Sequence, residues 1–159
     1  MKKWIISFTF IVFMLLIAGS IYFFTIIREP LVEQFDQVER YVLNQDLLDS
    51  IDEISYYHGQ EVVYVARGEL DSIERYVWVT DDLTTAYEAN VDEGITEEEA
   101  ISLVHQHEPI VELQAIRIGL ERNRPLYEIT FINENERKSY YYLHFKDGTL
   151  IKRYSLRIE

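Results

Sequence analysis

Chemistry in this chain would have to come from four histidines, 28 carboxylates and a large set of tyrosines, because cysteine is absent. His105 and His107 are the closest pair. On a helix they stand two residues apart, about 200° around the axis, and cannot face one ion. Zinc-binding helices place their histidines four apart, so no metal site is read here. His58 lies in a turn beside Gly59 and His144 in a strand, neither with a serine or aspartate in an ordered nucleophile motif. No Gly-x-Ser-x-Gly elbow and no glycine-rich phosphate loop occurs among the six glycines. A pair of acids for glycosidic chemistry could be drawn from 28 carboxylates in many ways, and nothing in the sequence singles one out. The sequence therefore predicts no catalytic residue, no cofactor, no small-molecule substrate and no enzyme.

The aromatics say more. Tyr140, Tyr141 and Tyr142 are consecutive, so on a strand Tyr140 and Tyr142 share one face and Tyr141 takes the other. Tyr76 and Trp78 likewise share a face opposite Val77 and Val79. One face of each strand should pack under a helix. The other could receive a protein segment, since tyrosine and tryptophan are enriched at the centres of interfaces. Tyr76, Trp78, Tyr140 and Tyr142 are the candidate interface residues. Arg117, Arg122 and Arg124 form a small basic group near a turn, which reads first as solvated arginines. They could also meet the acidic first half of the chain or an anionic polymer.

The elements that position these residues begin with Trp4–Ile27, 24 consecutive residues without Asp, Glu, Lys, Arg or His. A helix of that length spans roughly 36 Å, enough to cross a hydrocarbon core of about 30 Å. A cleavage site is conceivable after Ser20, in Ala18-Gly19-Ser20. The apolar run continues through Ile21–Ile27, however, and is too long for a signal peptide. It reads as an uncleaved anchor, with Trp4, Phe13 and Ile27 marking its start, middle and end. Lys2 and Lys3 would keep the N-terminus cytoplasmic and leave residues 28–159 extracellular.

Residues 28–94 hold 4 basic and 17 acidic side chains, and residues 95–159 hold 9 and 11. So acidic a first half argues against nucleic acid and against docking on anionic lipid heads. Pro30 suits the first turn of a new helix, and Leu31, Phe35, Val38 and Val42 then form one apolar stripe in a helix running to about Asn44 or Leu48. Only Arg28-Glu29-Pro30 would lie between anchor and helix. Strands are predicted at Ile51–Tyr57, Glu61–Ala66 (ending at Gly68) and Glu74–Val79, with a weaker run at Thr84–Asn90, which makes three or four. Thr96 and Glu99 form a capping box that opens a second helix, stopped near Glu108 by Pro109. Four more strands follow, at Val111–Leu120, Leu126–Ile132, Lys138–Phe145 and Thr149–Ile158. The order of a helix followed by strands occurs twice, with three or four strands in the first half and four in the second. The reading is α+β: an N-terminal transmembrane helix (residues 1–27) and two tandem cystatin-like units, 28–93 and 94–159, each a helix on an antiparallel sheet.

The second unit resembles a PepSY domain. The resemblance rests on Gly94-Ile95-Thr96-Glu97-Glu98-Glu99-Ala100, on Leu126-Tyr127-Glu128-Ile129, and on Tyr142-Leu143-His144-Phe145-Lys146-Asp147-Gly148-Thr149-Leu150. His144 stands where that family commonly has Asp, so no role of that Asp carries over. Over nearly its full length the chain resembles the YpmB/TseB-like group of cell wall elongation regulators. Tyr76-Val77-Trp78-Val79 followed by Glu93-Gly94-Ile95-Thr96-Glu97 is the most telling combination. The resemblance implies a single-pass membrane protein that acts outside the cell with a class B penicillin-binding protein, and it implies no catalytic residues. The PepSY half supplies an alternative, an inhibitor or modulator of an extracellular peptidase.

Overall fold

The computed structural model describes the backbone of residues 2–157 and the side chains of residues 11–20, 22 and 32–157. The chain divides into two compact units, residues 1–37 and 38–159.

Helix α1 runs unbroken over Lys2–Asn44. The sequence predicts a fresh helix start at Pro30, and this is corrected: Pro30 lies inside α1. Its ring fixes φ near the helical value, so the helix can pass through it, forgoing the one N–H that proline lacks. Along the apolar run Phe13 is 61% exposed. Among the described residues no helix is long and apolar enough to cross a membrane. Trp4 and Ile27 lie outside the residues whose side chains are described.

The α+β class holds. Within residues 38–159 all eight strands form, as two antiparallel four-stranded meanders. The first sheet contains β1 (Ser50–His58), β2 (Val62–Leu70), β3 (Ile73–Thr80) and β4 (Thr85–Asn90) in that order. A 3₁₀ turn at Val91–Glu93 and helix α2 (Glu97–His107) follow. The second sheet contains β5 (Ile110–Glu121), β6 (Arg124–Asn133), β7 (Arg137–His144) and β8 (Leu150–Arg157). The capping box forms as read: Glu99 N–H donates to Thr96 Oγ1 at 3.1 Å and Thr96 N–H to Glu99 Oε2 at 2.8 Å.

One strand end moves. Gly68 was expected to close β2, yet the strand continues to Leu70 and turns at Asp71-Ser72, both at positive φ. Gly68 serves close approach instead: a Cβ there would sit 1.9 Å from the Ser50 carbonyl oxygen, beside the register shift between Ile51 and Glu53.

Both faces of the first sheet are covered. On one, Tyr64, Ala66, Val77 and Val79 are buried, and the Tyr41 hydroxyl of α1 lies 3.1 Å from Thr85 Oγ1 on β4. On the other, Val63, Val65, Tyr76, Trp78 and Ala89 join a cluster with Ala100 and Val104 of α2 and with Leu120, Tyr127, Ile129, Phe131, Tyr141, Leu143 and Phe145 of the second sheet. One core therefore serves both sheets. Phe145 lies at its middle, with ring centroids 5.9 Å from Tyr76, 5.8 Å from Trp78 and 5.9 Å from Tyr127.

Candidate functional site

Alternation along β3 puts Tyr76 and Trp78 on the face that meets α2 and the second sheet. Trp78 is fully buried, Tyr76 nearly so, and the Trp78 indole N–H donates to the Gly119 carbonyl on β5 at 3.1 Å. These two are core residues, which corrects their reading as partner contacts. The cause is that β3 is a central strand with both faces covered, so its aromatic face had no outward option.

Tyr140 and Tyr142 do lie on the outer face of the second sheet, the side away from α2. Register places Tyr142 beside Glu128 and Lys152, and Tyr140 beside Thr130 and Tyr154. Tyr154, which the sequence reading did not single out, completes a stack. Its ring is 4.8 Å from Tyr140 and 6.0 Å from Tyr142, with the planes 19° and 25° apart. The Tyr142 and Tyr154 hydroxyls are 3.0 Å apart. Strand alternation plus the β7–β8 register would have found Tyr154, but register needs the turn geometry fixed first. Lys152 Nζ lies 4.2 Å above the Tyr142 ring and Lys138 Nζ 5.6 Å from the Tyr140 ring. The rings thus spend their faces on one another and on cations, and Tyr142 is only 4% exposed.

Tyr57 borders this face. It crosses from β1 to lie on Gly119, where a Cβ would come within 2.4 Å of its ring. Its hydroxyl donates to Glu121 Oε1 at 3.1 Å, and Lys152 Nζ reaches the same carboxylate at 2.7 and 2.9 Å. Burial first, then the charges of Glu121 and Glu128, push the Tyr57 phenol well above its usual value. Burial and the bond with Tyr154 do the same to Tyr142. Both hydroxyls are bonded within the chain, Tyr57 to Glu121 and Tyr142 to Tyr154, and both rings are buried. Arg117 pairs with Glu128 at 3.1 Å on this face, while Arg122 and Arg124 stand exposed at the β5–β6 turn. Between β1 and β5 a cleft of about 200 Å³ is lined by Tyr56, Tyr76, Arg67, Arg117, Glu53 and Glu97. Its mixed charge selects for neither sign of ligand.

A second polar cluster went unread in the sequence. Glu108, at the end of α2, accepts from the Tyr141 hydroxyl at 2.7 Å, from the Ser139 hydroxyl at 3.3 Å and from the Asn133 amide. Arg153 on β8 donates to the Tyr141 hydroxyl at 2.9 Å. Burial alone would raise the Glu108 pKa; the bonds from Tyr141, Asn133 and Ser139 and the charge of Arg153 outweigh it and hold the carboxyl below its usual range. His105 has a structural task too, accepting the Ile110 N–H at Nδ1 at 3.2 Å. Among the described residues no three His, Asp or Glu side chains gather as a metal site.

No protein-family model matches the chain. In sequence it is similar to the probable cell wall elongation regulator TseB of Bacillus subtilis (strain 168), 25% identical over 107 residues that cover 66% of this chain and 66% of that protein. In structure it is similar to the YpmB protein from Bacillus subtilis, with a TM-score of 0.63 at 23% identity over 68% of this chain and 86% of that one. The likeness to the YpmB/TseB-like group is present in both sequence and fold.

Proposed function

We propose that this chain is a non-enzymatic regulator of cell wall elongation that works by binding another protein. The sequence similarity to a protein named as a probable cell wall elongation regulator carries the reading. A relative named as a regulator also points away from catalysis. The outer face of the second sheet agrees with binding in that Tyr154 and Leu156 on β8 are exposed there.

The finer parts of the proposal are membrane attachment and partner. Trp4–Ile27 would anchor the chain in the cell membrane in a single pass, with the N-terminus cytoplasmic and the sheets outside. Its apolar composition on every side of the helix supports this. The partner would be a membrane-bound class B penicillin-binding protein, as the family resemblance implies.

The test is co-purification of the full chain after crosslinking in intact membranes. Enrichment of a class B penicillin-binding protein over a control carrying residues 1–37 alone is the expected result. No enrichment would remove the partner. Recovery of the chain in the soluble fraction would remove the anchor.

A further inference from the structure

We propose that the free edge of β8, Lys152–Arg157, binds an extended acidic segment of a partner protein as a fifth strand of the second sheet. This rests on the reading above, that the chain acts by binding a protein, and adds where and what kind of segment.

An edge strand leaves half its N–H and C=O groups unpaired, and folded proteins normally blunt such edges. Three of the four edges in this molecule are blunted. β1 lies against β5, with Tyr57 seated on Gly119. β4 is six residues long, is shifted in register at Thr85, and its Thr85 N–H is taken by the Tyr41 hydroxyl of α1. β5 carries two register shifts, and its Gly119 carbonyl is taken by Trp78. β8 differs. It pairs only with β7, and after one shift at its start Lys152 to Arg157 keep continuous register with Tyr142 to Arg137. Tyr154 and Leu156 are 45% and 52% exposed. Such a run can template another strand.

Charge selects the occupant. β8 carries Lys152, Arg153 and Arg157 and no acid, in a chain of net charge −13. Lys152 is paired with Glu121 and Arg153 is bonded to Tyr141, so the charge left for an occupant is that of Arg157 and its neighbour Arg137. Arg157 stands directly opposite Arg137, and neither has an ion-pair partner among the described residues. Two like charges across a strand pair are unfavourable until an anion joins them. A second copy of β8 is a poor occupant: in an antiparallel pair centred on Tyr154-Ser155, Lys152 would meet Arg157. An anionic polymer or lipid could meet the charges but could not fill the unpaired backbone groups between apolar side chains. An acidic extended peptide satisfies all three.

The test uses the full chain in detergent with a peptide of about ten residues alternating Glu and Val. Controls are the same peptide with alternate N-methyl groups, a Lys/Val counterpart, and phosphatidylglycerol vesicles. The Glu/Val peptide should bind, slow amide exchange in residues 152–157 and leave β4 unchanged. Arg157→Glu should weaken binding about tenfold without lowering the melting temperature, since it replaces a like-charge pair with Arg137 by an opposite-charge one, and Arg157→Gln should fall between. Equal binding of the N-methylated peptide or of the Lys/Val peptide would overturn the proposal. So would vesicle binding that depends on Arg157 when the peptide does not bind. In the crosslinking experiment, Arg157→Glu should reduce recovery of the partner. Undiminished recovery sinks the β8 site and leaves the partner standing, whereas no recovery by the unaltered chain sinks the partner and leaves the peptide experiment to decide the β8 site.

Discussion

Glu108 shows how much can rest on a residue that no motif marks. Its carboxylate gathers donors from β6 and β7, and Arg153 of β8 holds one of those donors in turn. Because its folded pKa is depressed, the stability it contributes is present above the unfolded glutamate value and is lost as pH falls through the folded one. Glu108→Gln should therefore lower stability at neutral pH and flatten the acid limb of a urea-midpoint-against-pH curve. An unchanged acid limb would show that the network holds no differential proton affinity. The sequence could not have nominated Glu108, since its partners lie 25 to 33 residues away. The Thr96/Glu99 box was legible because its partners are three residues apart. The burial of Tyr76 and Trp78 was not, because alternation says which residues share a face but not what covers it.

At the scale of elements, the seat of β1 on β5 depends on a missing side chain. Gly119→Ala should cost about 1–3 kcal/mol by thermal or urea unfolding, because the methyl group enters the space of the Tyr57 ring. In a Tyr57→Ala background the same change should cost under about 0.5 kcal/mol, since the two act only through each other. Equal cost in both backgrounds would place the strain elsewhere. Elements were read well where the period and the turn residues agreed, as in all eight strands. They were misread where one residue has two uses. Gly68 looked like a turn and makes room for the Ser50 carbonyl; Pro30 looked like a helix start and lies within α1. Each choice was settled by a neighbour distant in sequence or by the length of the surrounding helix, neither of which a short window contains.

For the molecule as a whole, the tyrosines set the alkaline limit. Burial first, and neighbouring acidic groups after it, raise Tyr57, Tyr127 and Tyr142, and push Tyr64 up to about 12. A group raised in the folded state contributes stability that is complete below its unfolded value, near 10 for tyrosine, and declines as pH rises toward the folded one. Absorbance titration should show some of the 12 tyrosines ionising near 10 and the rest only together with loss of circular dichroism. Independent ionisation of all twelve would contradict the burial. The shared core has a further consequence, in time. Phe145, which fills the space between Tyr76, Trp78 and Tyr127, is made only after the first sheet, α2 and β5 to β7. Until it emerges, α2 and β5 can cover the aromatic face of the first sheet only in part. A nascent chain, made from its N-terminus, must carry that partly covered face until the β7–β8 hairpin arrives.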